Sequence, residues 1–422
     1  MKLKRISLKN WKNFRLVAAE ISDLTFIVGA NASGKSNFLD AICFMRDIVK
    51  HGGGLQYAVS KRGGVSKIRC LSTRKKSDIE ICMEFLEDNT IWKYTLIIGQ
   101  QPRGDRNTIV LKESLHHGDA VIISRPDIND ERDGERLTQT YIEQIATNKD
   151  FRNIVKYLES AKYTHIVPQF LKFPDAFPAS DSADDPFGKG FLKSILKTPD
   201  DIRKRRLEKI QIVLRQAIPQ LEKLSYIEEA GQPHLEVSYK HWKQNGKQRE
   251  SQLSDGTLRL IGLVWALLDG QGLLLLEEPE VSLNSAIVEK LPELLYSVQR
   301  TKKRQIILTT HSADLLDGKN VSMSNIIVLK SENGGTIIEN LNVNKGIKED
   351  VANGKSLSDA VIPLTKPDLS KGLLPEKTIA EKIIDEPHRN PAGAAKALQN
   401  DKKIPKPFFK LSSIRAKKNA GR

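Results

Sequence analysis

Three groups of residues in this 422-residue chain have the types and spacing to handle a polyphosphate. The first is Gly29-Ala30-Asn31-Ala32-Ser33-Gly34-Lys35-Ser36, followed by Asn37, which fits G-x-x-x-x-G-K-[ST]. In such a P-loop the backbone N–H groups surround the phosphates, and the N-terminus of the next helix adds partial positive charge. Lys35 is placed to reach the β- and γ-phosphates of ATP, and Ser36 to ligate Mg²⁺. Glycine serves where the backbone must approach a phosphate or take a positive φ.

The second group is Glu277 and Glu278, which follow the apolar run Leu273-Leu274-Leu275-Leu276. Two carboxylates at the carboxyl end of a buried strand, beside a P-loop, suit a metal shell and an attacking water. Glu277 is placed for the metal, and Glu278 to orient or deprotonate the water. The third is His311, in Thr309-Thr310-His311-Ser312, where a β-rich stretch ends and an imidazole can hydrogen-bond a γ-phosphate. Between the P-loop and the acids, Leu253-Ser254-Asp255-Gly256-Thr257 opens a helical pattern carrying Leu260, Ile261, Leu263, Val264 and Leu267. A small polar residue and a glycine at a helix start form a further anion site.

These residues need strands that end together. Residues 24–28 form an apolar run before the P-loop, and Phe38, Leu39, Ile42, Met45 and Ile48 after it recur at helical spacing. Residues 2–9 and 16–21 read as strands joined through Asn10-Trp11-Lys12-Asn13-Phe14, where Lys12 and Asn13 are placed to approach a nucleotide. From 66 to 124 the period becomes two. Ile79, Ile81, Met83 and Phe85 are answered by Trp92, Tyr94, Leu96 and Ile98 across Asp88-Asn89, as in an antiparallel meander. Residues 131–160 read as one helix. Residues 163–167 read as a short strand leading into a Pro-, Asp- and Ser-rich lid over 168–190. Asp181, Asp184 and Asp185 in that lid read as a solvated loop, because no His or Cys completes a ligand set. Residues 224–229 and 234–242 read as a hairpin, with a turn at Gln244-Asn245-Gly246. Residues 325–330 and 336–341 pair around Asn333-Gly334-Gly335.

The formal net charge of +15 favours a polyanionic partner, DNA or RNA first, beyond what one nucleotide would require. Residues 199–221 form a basic helix with Arg203, Lys204, Arg205, Arg206 and Lys209. It reads either as a nucleic-acid face or as a solvated one. The last stretch, with Lys402, Lys403, Lys406, Lys410, Arg415, Lys417, Lys418 and Arg422, reads either as a tail that holds a nucleic acid or a partner protein or as a solvated one. The spacing of Cys43, Cys70 and Cys82 suits neither a disulfide framework nor a metal motif. The first residues lack a signal-peptide core and no apolar run is long enough to span a bilayer, so a cytoplasmic protein without membrane partners is expected.

As an ordered set, these motifs resemble the head of an ABC-type ATPase over residues 1–345. Residues 29–36 resemble Walker A, 253–257 the signature motif and 273–278 Walker B. Ser282-Leu283-Asn284 resembles the D-loop, and His311 the switch histidine. The opening strands and the Leu-Ser-Asp-Gly-Thr signature resemble the RecF, SMC, Rad50 and OLD branch. Within it the chain is similar to stand-alone AAA family ATPases of bacterial defence operons, of Septu, retron-associated and Menshen type. The resemblance implies an α/β fold: a P-loop head with a mixed central sheet, an antiparallel β subdomain and an inserted helical lid. It implies four parts, an N-terminal lobe (1–130), a helical insertion (131–222), a C-terminal lobe (223–345) and a basic, partly ordered tail (346–422).

It further implies ATP and Mg²⁺ as ligands, with Ser36, Glu277 and a Q-loop residue, for which Gln169 is the candidate, around the metal. Ser254, Asp255 and Gly256 would act across a head-to-head dimer, completing the ATP site of another copy. The effector is expected to be a separately encoded nuclease or toxin, since no Asp-x-Asp follows His311 as in the nuclease domain of OLD proteins. A DNA repair or replication ATPase acting on DNA ends or gaps is the alternative.

Overall fold

The computed structural model describes residues 1–73, 78–101, 107–174, 176–177, 185–241, 246–339, 341 and 344–365. The chain opens as a hairpin of β1 (Lys2–Trp11) and β2 (Phe14–Glu20), with Leu3, Ile6 and Leu8 facing inward. β3 (Leu24–Gly29) is buried at every position, as a strand covered on both faces must be. It feeds the glycine loop and α1 (Lys35–Val49), followed by the short helices α2 (Leu55–Ser60) and α3 (Val65–Ile68). β4 (Ile79–Glu87), β5 (Thr90–Gln100), β6 (Thr108–His117) and β7 (Ala120–Arg125) then run up and down. They join the opening hairpin in one antiparallel sheet, in the order β2-β1-β4-β5-β6-β7. Its inner face packs on α1 through Leu8, Phe14, Ile81, Met83 and Tyr94 against Phe38, Ile42 and Met45.

Residues 131–160 are not one helix. α4 (Ile128–Arg132) and α5 (Arg152–Glu159) bracket 3₁₀ turns over Gly134–Thr138 and Lys149–Phe151. The cause is polar competition for the backbone. The buried Glu113 carboxylate on β6 accepts the N–H groups of Tyr141 (2.7 Å) and Ile142 (3.1 Å). Arg125 clamps that carboxylate at 3.0 Å and Asp130 at 2.8 Å, both ion pairs fully buried.

β8 (Lys162–Thr164), α6 (Pro168–Lys172), α7 (Phe191–Lys197) and α8 (Asp200–Ala217) come next. β9 (Leu221–Glu229), β10 (Gln232–Tyr239) and β11 (Lys247–Arg249) then form a three-stranded sheet. That sheet and α8 share a core, with Leu207, Ile210 and Leu214 against Leu224, Leu235 and Val237. Part of the basic run on α8 is spent inside the fold. Arg203 covers Tyr226, and Arg206 pairs with Asp269 at 2.9 Å. Lys204, Arg205 and Lys209 stay exposed. Of the lid's acids, Asp185 accepts the N–H groups of Lys189 and Gly190 at the turn into α7. Asp181 and Asp184 lie outside the described residues, as do Gln244 and Asn245.

The last portion supplies α9 (Asp255–Leu268), β12 (Leu274–Glu277), α10 (Ser285–Val288), α11 (Leu291–Lys302), β13 (Ile306–Thr310) and α12 (Ala313–Leu316). β14 (Ile326–Glu332) and β15 (Gly335–Glu339) follow as a hairpin. The second six-stranded sheet has the order β15-β14-β3-β13-β12-β8. Its β14, β3, β13, β12 and β8 are parallel neighbours, and only β15 runs against them, so the sheet is mixed. Leu24, Phe26 and Val28 of β3 pack with Leu295 of α11 and Leu315 of α12 on one face. In register, Val28 lies beside Thr310 and Glu277 beside Thr309, so three strands end on one line. Where the tail was expected to begin, α13 (Lys345–Ala352) and α14 (Leu357–Val361) bury Ile347, Ala360 and Val361 in this same core. The basic residues from Lys402 onward lie outside the described residues. No helix among the described residues is long and apolar enough to cross a membrane.

Candidate nucleotide site

The glycine loop leaves β3 at Gly29 and enters α1 at Gly34, whose φ is +98°. A side chain at Gly34 would be strained and would meet the Asn13 amide, 2.0 Å from where its Cβ would lie. Asn13, in the turn between β1 and β2, backs the loop. Its amide donates to the Ser33 carbonyl at 2.9 Å and accepts from Asn37 at 2.8 Å. The indole of Trp11 donates to the Asn37 carbonyl at 2.8 Å. Lys12, expected to approach a nucleotide, instead pairs with Asp40 of α1 at 2.6 Å.

Lys35 is buried and folds back into the loop. Its ammonium donates to the carbonyls of Gly29 (3.1 Å) and Ala30 (3.2 Å) and lies 2.5 Å from His311 Nε2. Burial lowers its pKa, while Glu278, Glu277 and Glu280 pull the other way. The Ser36 hydroxyl donates to Glu277 Oε1.

At the end of β12, Glu278 adopts φ +42°, a left-handed conformation that costs a non-glycine residue energy and turns its side chain out of the strand. The turn is held from both sides. The Glu278 N–H donates to the Thr309 carbonyl at 3.1 Å, and Arg259 of α9 donates to the Glu278 carbonyl at 3.0 Å. The carboxylate then lies 3.1 Å from His311 Nε2. Burial and the Lys35 charge lower the His311 pKa, outweighing the opposite pull of Glu278. Behind it, buried Glu280 accepts from the Thr310 hydroxyl (2.5 Å) and the His311 N–H (3.2 Å), which holds the imidazole's backbone in place.

The structure thus brings Lys35, Ser36, Glu277, Glu278 and His311 together at the carboxyl edge of the parallel strands. The signature residues stand apart. Ser254 caps α9 by accepting the Thr257 N–H at 3.2 Å. Gly256 packs so tightly on the Ser282 carbonyl that a Cβ would sit 2.6 Å from it. Among the described residues, no hydrogen bond or ion pair joins Ser254, Asp255 or Gly256 to the P-loop.

Gln169 is bonded elsewhere. It sits on α6 and donates to Asp255 at 2.9 Å, with Lys172 beside it at 3.6 Å, and bonds neither Ser36 nor Glu277. The side chains that reach Glu277 from this segment are Tyr163, whose hydroxyl donates to Oε2, and His165, whose Nδ1 lies 3.3 Å from the Glu277 carbonyl. The only sequence signal for either was its place at the end of a short strand.

Ser36 and Glu277 offer hard oxygen donors, which suits Mg²⁺. Among the described residues no group of three His, Cys, Asp or Glu forms a metal cage of its own. A cation held here would therefore take its remaining ligands from phosphate and water, as Mg²⁺ does in nucleotide sites.

Residues 24–317 match the family described as "AAA domain, putative AbiEii toxin, Type IV TA system". A taurine import ATP-binding protein of Yersinia pestis bv. Antiqua is 34% identical over 95 residues, covering 22% of this chain and 36% of the relative. Its counterpart in Pseudomonas fluorescens is 33% identical over 100 residues, covering 24% and 36%. The chain thus spans little more than a third of the length of these relatives. Among solved structures, an SMC head bound to the C-terminal winged-helix domain of ScpA aligns with TM-score 0.48 and 16% identity, covering 82% of this chain and 100% of the other. The SMC head domain from Thermotoga maritima aligns with TM-score 0.44 and 17% identity, covering 81% and 99%.

Proposed function

This chain belongs to that AAA family, and from that premise we propose that it is an ABC-type ATPase that binds ATP with Mg²⁺, pairs head to head with a second copy, and hydrolyses the nucleotide. The observation that supports this most is the meeting of Lys35 and Glu278 on His311, each within hydrogen-bond reach of its imidazole at the strand ends.

The residues divide the work. Lys35 exchanges the Gly29 and Ala30 carbonyls for phosphate oxygens. Glu278 orients the attacking water and takes its proton, and His311 reaches the terminal phosphate. Bound Mg²⁺ would neutralise charge on the phosphates. Ser254 and Gly256, at the N-terminus of α9, face the triphosphate held by another copy and close its site. Replacing Glu278 with Gln tests both parts. Turnover is expected to fall about 10²–10³-fold, the scale of losing one well-placed polar group. ATP should then accumulate a long-lived dimer, read by light scattering. Unchanged turnover removes the catalytic assignment. A monomer at saturating ATP removes the dimer.

We further propose that the ATP-driven dimer acts as a sensor that controls a separately encoded nuclease or toxin in bacterial anti-phage defence. The family's description, which names a toxin–antitoxin system, supports this reading. Co-purification with the product of a neighbouring gene, gained or lost with ATP, is the expected result. A second reading, direct action on DNA ends or gaps, is favoured by exposed Lys204, Arg205 and Lys209 on α8. It predicts DNA-stimulated turnover without any effector and affinity that falls steeply with salt.

A further inference from the structure

Glu277 ends β12 with a flexible side chain, yet both its carboxylate oxygens are held. Ser36 from α1 donates to Oε1, and Tyr163 from β8 donates to Oε2. The second contact follows from strand geometry. β8 runs parallel to β12 with Tyr163 beside Leu275, two residues short of Glu277. Residues two apart share a face and lie about 6.6 Å apart along a strand, roughly the reach of a tyrosine side chain. The ring of Tyr163 packs against the core that covers α1, so the phenol is aimed by packing. His165, two residues on, lies against the Glu277 carbonyl.

The two anchors have different futures. Ser36 is the hydroxyl expected on the metal, and metal binding takes it away from Oε1. Tyr163 has no such duty. Both residues, with Asn37, line one cavity of about 1200 Å³. We propose that Tyr163 is the positioning residue for the metal site: its hydroxyl keeps Glu277 Oε2 fixed while Oε1 is released to the cation. The inference rests on the reading of this site as one for Mg²⁺ and ATP. Partners of this kind typically alter metal affinity by about 10- to 100-fold when removed.

The test is a titration of a fluorescent ATP analogue against the full chain, in EDTA and in rising MgCl₂. Tyr163→Phe keeps the packed ring and removes only the hydroxyl. In EDTA it is expected to bind the analogue as the wild type does. The MgCl₂ midpoint for tightened binding should rise about 10-fold. In a Glu277→Ala background, Tyr163→Phe should add nothing, because the anchored carboxylate is gone. If the wild type tightens with Mg²⁺ and Tyr163→Phe shares its midpoint, the inference alone is overturned. It is equally overturned if the Phe variant weakens binding in EDTA as much as in MgCl₂, or if its effect persists in full without Glu277. A wild type whose nucleotide binding ignores Mg²⁺ overturns the Mg²⁺–ATP reading itself, and this inference with it.

Discussion

The two six-stranded sheets treat buried polar groups in opposite ways. In the antiparallel sheet, Glu113 of β6 is buried and its carboxylate is saturated. It accepts from the Tyr94 hydroxyl, from the Tyr141 and Ile142 N–H groups, and from Arg125. At the carboxyl edge of the parallel strands, polar groups are buried but provisionally partnered. The Lys35 ammonium rests on two carbonyls and an imidazole, and Glu278 is held at φ +42°. A saturated network fixes one arrangement. An edge whose cation has only weak acceptors and whose backbone is strained gains from receiving an anion. The first region therefore holds the fold and the second is poised for a ligand.

The sharpest way to break this contrast is Arg125→Ala. Removing one partner of a buried pair leaves an uncompensated charge and costs about 3–5 kcal/mol. Glu113 loses its cation, and Asp130 keeps only Arg136, at 3.5 Å. Denaturant unfolding should show that loss, while the folded fraction keeps wild-type ATP affinity. An equal loss of ATP affinity in folded protein would mean that the saturated network also shapes the site.

The converse is Lys35→Ala. It should lower turnover about 10²–10³-fold, since one preorganised cation is lost from a site of developing charge. Thermal stability should change little or rise, because burial already disfavours this ammonium. A melting temperature that collapses would show that Lys35 is structural, and the contrast between the sheets would fail.

What could be read in advance follows from how local each signal is. Gly29 to Ser36, the acids at the end of β12 and His311 are contiguous with the strands that carry them, so type and spacing were enough to place them at strand ends. The meander was legible because Ile79 to Phe85 and Trp92 to Ile98 alternate on an inner face. Residues 131–160 misled because Tyr141, Ile142 and Ile145 have helical spacing, while Glu113, distant in sequence, claims the N–H groups of the first two. Tyr163 and His165 were invisible as partners of Glu277, since three-residue β8 gains its meaning only by lying beside β12. Gln169 had the right residue type after a strand, but α6 turns it towards Asp255.

The smallest effect belongs to the joint between the two regions. Asn13 sits at the tip of the β1–β2 hairpin, within the antiparallel sheet's first turn, yet all its amide bonds go to the other region. It donates to the Ser33 carbonyl (2.9 Å) and the Thr336 hydroxyl (2.6 Å), and accepts from Asn37 (2.8 Å). Each such bond contributes about 0.5–1.5 kcal/mol net, and water can replace part of it at this half-buried position. Asn13→Ala should therefore destabilise the chain by about 1–2 kcal/mol. If the joint transmits order from the rigid sheet to the loop, ATP affinity falls by roughly 5-fold as well, about 1 kcal/mol. Calorimetric titration with ATP, alongside a denaturant melt, separates the two. A stability loss without an affinity loss would show that the glycine loop keeps its shape unaided. The two sheets would then be independent parts, with the antiparallel one serving only to cover α1.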